Sequence, residues 1–200
     1  MRSDQPYKAN FTKTSLIVPE SRIVADLLLS DVSSEEWDRL IRQENILRKR
    51  TGNTAMTYAS LARARLQTMT PELWELVRDG SMPVASQAVL AATLKFSPLF
   101  GNFLRTTLRD EFRRFSVTLE PRLWDQYIED VQRAYPQMPA FTESTQGKLK
   151  QNAFRMLAEA GFIVDTRSMR LRKIQLEPAV LDYLRNHQEQ YVLDCIQVSV

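Results

Sequence analysis

Through most of the 200-residue chain, apolar residues return every three or four positions, the spacing of helices with one buried face. The first run covers 20–29, with Ile23, Val24, Leu27 and Leu28 on one side. A second opens after "SDVSS", where Ser33 or Ser34 can act as N-cap. It carries Trp37, Leu40, Ile41 and Leu47 at helical spacing, and only Glu44 breaks the pattern. "KRTGNT" ends it: Gly52 suits a left-handed C-cap, and Thr54 can cap a third helix. That helix, 54–68, has Met56, Ala59, Leu61, Ala62 and Leu66 as inner residues. Thr70-Pro71-Glu72 starts another, ending near Gly80. Helices over 85–96 and 99–114 come next, then an extended link, 115–120. A helix over 121–135 bears Leu123, Trp124, Tyr127, Ile128 and Val131, and Pro178 opens a terminal helix.

One stretch departs from helices alone: "STQGKLKQNAFRMLAEAGFIVDTRSMRLRKI". Thr142 or Ser144 can cap a helix reaching about Ala160. Leu149, Ala153, Phe154, Leu157 and Ala160 form its apolar face, and Lys148, Gln151, Asn152, Arg155 and Glu159 fall largely on the other side. Gly161 ends it. "FIVD" and "LRKIQL" can then pair as antiparallel strands around "TRSMR". The pattern predicts an all-α, mainly helical protein with helix-turn-helix elements and a C-terminal winged-helix-like unit with a short β-hairpin. A boundary in the loop at 138–142 gives two domains. One is an N-terminal helical domain, 1–140, with a helix-turn-helix-like element near 34–68. The other is a C-terminal winged-helix-like domain, 141–200.

Composition removes several classes. Five glycines argue against a β-rich fold full of tight turns. Cys195 is the only cysteine, so no disulfide forms within the chain and no cysteine-based zinc site is available, which suits a reducing, cytoplasmic setting. The N-terminal "MRSDQPYKANFTKTSLIVPES" has no long apolar core and is not read as a signal peptide; Pro6 to Thr14 is polar and reads as loose chain. The most membrane-like stretch, 82–104, carries Gln87, Lys95, Asn102 and two prolines, so it reads as two buried helices rather than a span. His187, the one histidine, sits among Asn186, Gln188 and Glu189 on the expected last helix and reads as a solvated side chain.

The net charge of +3 is small, so any basic surface must come from clustering. Two clusters exist. Between Phe141 and Gln175, Lys148, Lys150, Arg155, Arg167, Arg170, Arg172 and Lys173 face only Glu143, Glu159 and Asp165. Gln146, Lys148, Gln151 and Asn152 lie in the first half of a helix that could enter a groove, with Lys150 placed for a phosphate. There, side-chain amides can pair with adenine, and lysine can reach guanine acceptors. Arg167, Arg170, Arg172 and Lys173 would lie on or beside the wing, against phosphates. The second cluster holds Arg39, Arg42, Arg48, Lys49, Arg50, Arg63 and Arg65 with Glu44 as the one acid. Thr54, at a helix start, can meet a phosphate together with free backbone amides. The competing reading of both clusters is a solvated helical face. Arg105, Arg109, Arg113 and Arg114 read as a salt-bridged face with Asp110 and Glu111.

No phosphate loop, dinucleotide fingerprint, nucleophile elbow or metal-spaced His/Cys set is present, so neither an enzyme nor a cofactor is expected. Few aromatics sit among the cations, which disfavours single-stranded RNA recognition by base stacking.

The order of features resembles the BrxA family of bacteriophage exclusion (BREX) systems. The residues that carry the resemblance are "SLIVPESRIVADLLLS", "RQENILRKRTGNTAMTYASLARARL" and "KLKQNAFRMLAEAGFIVD", and it spans most of the chain. It implies a helical protein with helix-turn-helix elements that binds double-stranded DNA beside the methyltransferase and other defence subunits. Carried over by position, Arg48, Lys49, Arg50, Thr54 and Arg63 with Gln146, Lys148, Lys150, Gln151, Asn152, Arg167, Arg170, Arg172 and Lys173 would contact DNA. The inner-membrane label the family has carried does not fit the hydropathy of this chain. An adaptor that assembles other subunits is the alternative.

Overall fold

The structure, a computed structural model, describes residues 7–138 and 140–199. Pro6 and Pro139, which fall in segments expected to be loose or looped, lie outside them, as does the start of the N-terminal segment. Two compact units emerge. One draws on Leu16–Phe96 and Glu177–Gln188, the other on Met1–Ser15, Ser97–Leu176 and Glu189–Val200. This division does not follow a single cut near residue 140. The expected C-terminal domain is shared out, because the helix opened by Pro178 packs in the unit built from 16–96.

That first unit holds α1 (Val18–Leu29), α2 (Ser34–Asp38), α3 (Gly52–Leu66), α4 (Pro71–Asp79), α5 (Met82–Phe96) and α10 (Pro178–Asn186). Its centre is α5. Ala85, Ala88, Val89, Leu90, Ala91, Ala92 and Leu94 are buried around most of the helix, because α1, α3, α4 and α10 all pack on it. That is why this segment looked membrane-like; a helix apolar on every side is a core helix when it is this short. No helix among the described residues is long and apolar enough to cross a membrane. Two of the predicted starts hold, while Thr51 rather than Thr54 caps α3. Ser33 caps α2 by accepting from the Glu36 amide at 3.2 Å, and Pro71 opens α4.

The second expected helix is shorter than predicted. After α2 one π-type turn, Arg39–Gln43, ends it, and Leu47 is buried from a loop instead. Asn45 stops the helix: its backbone is left-handed and its side chain bonds the Lys49 amide (3.0 Å) and carbonyl (2.6 Å). Gly52 is not a left-handed cap but the first residue of α3, with Thr51 as N-cap. A Cβ on Gly52 would lie 2.8 Å from the Arg42 carbonyl oxygen, so close approach, not backbone freedom, requires glycine there. The eight-residue loop 44–51 is longer than the turn of a helix-turn-helix. His187 is half-buried rather than fully solvated. Its ring stacks on Tyr183 (4.2 Å between centroids) and reaches the Thr70 hydroxyl at 3.3 Å.

The other unit holds a helical run α6 (Pro98–Phe103) and α7 (Arg109–Arg113) joined by a π-type segment, then α8 (Arg122–Ala134), α9 (Glu143–Glu159) and α11 (Gln190–Ile196). Sequence periodicity did not separate α11 from α10. Trp124 is 1% exposed and lies edge-on to Phe103 (4.9 Å) and Phe11 (6.1 Å). Phe11, from the segment expected to be loose, is therefore a core residue. The Tyr127 hydroxyl donates to the Leu99 carbonyl at 2.7 Å.

Among the described residues, single antiparallel bridges take the place of regular strands and tie three short extended pieces together. Thr118 pairs with Arg170 and Ile163 with Leu171. The Leu119 amide donates to Met169 and the Leu171 amide to Val117, both at 2.9 Å. The Val164 amide donates to Arg170 (2.9 Å) and the Arg172 amide to Phe162 (2.8 Å). The 169–172 piece is thus central, with the 115–120 link on one side of it. A fragment of 141–200 lacks that link, Phe11, Phe100, Phe103 and Trp124. Expressed alone, it is expected to give no cooperative thermal transition in circular dichroism, whereas a chain with all 200 residues gives one.

Candidate nucleic-acid interface

Helix α9 is built to show one face. Thr142 caps it, accepting from the Thr145 amide at 3.3 Å, and Gly161, at φ 85, ends it. Leu149, Ala153, Phe154, Met156 and Leu157 are buried; Gly147, Lys148, Gln151 and Arg155 are exposed. Lys148, Gln151 and Arg155 fall three and four residues apart, on one line along the helix.

Asn152 is a correction to the sequence reading. It is 7% exposed, and its Nδ2 donates to the Phe11 carbonyl at 2.8 Å. A polar residue on the inner face satisfies a buried carbonyl there and cannot reach a base. Gln146 folds back on the helix start, donating to the Phe141 carbonyl at 3.1 Å, and Lys150 pairs with Asp125 at 2.6 Å. Arg172 is exposed, yet its Nε donates to the Gly161 carbonyl at 3.1 Å, so it closes the C-terminal end of α9. Lys148, Arg155, Arg167 and Lys173 are exposed and make no side-chain hydrogen bond or ion pair among the described residues. Arg155 was on the predicted outer face but was not singled out; its spacing from Lys148 was the signal.

The turn 165–168 is shaped by Asp165. Its carboxylate accepts from the Ser168 and Arg167 amides, both at 2.8 Å, and from the Ser168 hydroxyl at 3.0 Å. Those amides hold the Asp165 carboxyl below the usual carboxylate range, with the Arg170 charge adding to them. Met169, at φ 52, is buried, while Arg167 and Arg170 point their charge outward from the turn.

In the unit built from 16–96, Arg48 and Arg50 are exposed on the loop before α3. The others are engaged. Lys49 pairs with Glu20 and lies 4.3 Å from the Tyr58 ring; Arg63 stacks on Trp37 at 4.8 Å; the Thr54 hydroxyl bonds that of Thr51 at 2.9 Å. Arg65 is 1% exposed and donates to the Leu16 carbonyl at 3.3 Å, so it adds nothing to a basic surface. Among the second group of arginines, Arg114 pairs with Glu111 at 3.4 Å, Arg109 reaches the Asp194 carbonyl and Arg105 lies over Tyr191.

Chemistry beyond charge is sparse. Among the described residues no three His, Cys, Asp or Glu side chains could hold a metal ion. Cys195 is buried, and burial pushes its thiol up to about 11, which leaves it protonated and unreactive near neutrality.

These features describe a mainly helical protein in two units, whose available chemistry is a line of exposed cations on a long helix and an adjoining turn. A family model described as BrxA matches residues 5–188. A curated relative from Paramagnetospirillum magneticum, named BREX protein BrxA, is 47% identical over 194 residues, 97% of this chain and 98% of that one. Another of the same name, from Escherichia coli O9:H4, is 28% identical and covers 98% of this chain and 92% of its own. A crystal structure of an uncharacterized protein from Magnetospirillum magneticum matches with TM-score 0.90 at 46% identity, over 97% of this chain and 100% of that one. The chain belongs to the BrxA family.

Proposed function

We propose that this chain works in bacteriophage exclusion as a binder of double-stranded DNA, through α9 and the turn 165–170. The observation that carries the reading is the line Lys148, Gln151 and Arg155, exposed and, among the described residues, unpaired, on a helix whose opposite face is core. The order of elements supports it. Helix, extended piece, helix, helix, then two extended pieces, with 169–172 bonded on both sides, is the order of a winged helix. In that arrangement α9 reads the groove and Arg167, Arg170 and Lys173 meet phosphates. Arg48 and Arg50 are a smaller, separate set of exposed cations that could meet phosphates on their own unit. The relatives' name supports work alongside other BREX subunits.

Titration of a mixed-sequence DNA duplex at rising salt tests this. With Lys148, Arg155, Arg167, Arg170 and Lys173 on phosphates, log affinity falls with log salt at a slope of about −4.5. A slope near zero, or no binding at low salt, removes the reading. A docking role is favoured by one observation. Phe115 and Val117 are 85% and 70% exposed on the 115–120 link, more apolar surface than a solvated loop needs. Substituting both by serine leaves the salt titration unchanged, and separates that surface from the basic one if capture of partner subunits is lost.

A further inference from the structure

The chain has five glycines, and four have a reason inside the protein. Gly161 takes a left-handed backbone. At Gly52, Gly80 and Gly101 an added Cβ would collide with the Arg42 carbonyl, the Leu76 carbonyl and the Tyr191 hydroxyl. Gly147 has none of these. Its φ is not positive, and a Cβ there would meet nothing within 4 Å. It lies inside the 17-residue helix α9, where glycine is the poorest helix former after proline. It is exposed, directly before Lys148 and four residues before Gln151. The one glycine with no internal cause therefore sits on the face that carries the unpaired polar side chains.

We infer that Gly147 is the point of closest approach between α9 and its ligand, and that the ligand is B-form DNA contacted in the major groove. The inference rests on the reading of α9 as a groove-entering helix. A missing side chain lets the helix backbone sit a methyl group's depth nearer the base edges, which brings Gln151 within bonding distance of them. A notch of this kind serves close approach to any surface, and on a groove-entering helix it serves only where the groove takes the whole helix. The B-form major groove, about 12 Å wide, admits one, and the deep, narrow major groove of A-form RNA does not. Contact at this depth is a matter of shape, so it does not alter the number of phosphates neutralised.

Fluorescence anisotropy with a labelled mixed-sequence 30-base-pair duplex tests this on the full chain, alongside thermal unfolding. Gly147→Ala is expected to raise the melting temperature by ~2–4 °C, since it improves the helix at an open position. It is expected to weaken DNA binding about tenfold, and Gly147→Leu further, with the salt slope unchanged. An unlabelled RNA duplex of the same length competes poorly. Equal affinity of the alanine variant and the unaltered protein, a fall in melting temperature, or equal competition by RNA overturns the inference while the interface stands. Absence of DNA binding by the unaltered protein overturns the interface itself.

Discussion

Replacing Lys148 and Arg155 together by glutamate is expected to weaken duplex DNA binding roughly a hundredfold at physiological salt, and to lower the magnitude of the salt slope by about two. Both side chains are exposed, and neither has an ion-pair or hydrogen-bond partner among the described residues, so their loss leaves nothing unsatisfied in the fold. Surface substitutions of that kind change stability by about 0.5 kcal/mol or less. The thermal transition should therefore stay where it is while affinity collapses. Lys150→Glu is the useful contrast. Lys150 already pairs with Asp125, and reversing its charge brings two carboxylates together. Its variant loses stability as well as affinity, so it cannot isolate the contact. The same holds for Arg172, whose Nε bonds the Gly161 carbonyl. Arg167 and Arg170, on the exposed turn, are the further residues to alter. Unchanged affinity in the Lys148/Arg155 double variant would remove α9 as the groove-facing element.

The largest expected effect on stability is at Trp124. Trp124→Ala empties a site where the indole lies against Phe103, Phe11 and Tyr127, with 1% of the residue exposed. Removing a buried aromatic of that size costs about 3–5 kcal/mol. Domain stabilities are about 5–15 kcal/mol, so from about a fifth to the whole of it would go. Amide exchange is the measurement. Protection in α8 and α9 should drop by roughly two to three orders of magnitude, following the conversion of about 1.4 kcal/mol per decade. Protection that survives in α9 would mean that its inner face is held by something other than the aromatic cluster.

Much of the fold was legible in the chain. The N-cap at Ser33, the proline starts at Pro71 and Pro178 and the inner faces of α8 and α9 are local effects, and local chemistry reported them. The failures are non-local. Asn152 looked outward-facing because it is polar, but its partner is the Phe11 carbonyl, 141 residues away in sequence. Leu47 kept helical spacing although Asn45 had already ended the helix, a stop made by one side chain bonding two backbone groups. The 115–120 link read correctly as extended, while its pairing with 169–171 joins segments about fifty residues apart, which no periodicity records. Arg65 and Lys49 counted as cations in the sequence, and burial and a carboxylate took them off the surface.

The interleaving of the two units sets an order on synthesis. A ribosome adds about 5–20 residues per second, so 200 residues take about 10–40 s to emerge. The unit that begins at Leu16 cannot close until Val180, Tyr183 and Leu184 arrive, and the other awaits Val192, Leu193 and Ile196. During most of translation the flank of α5 that α10 covers stays open, although α1, α3 and α4 are already made. A message truncated near codon 170 would yield no half-working product.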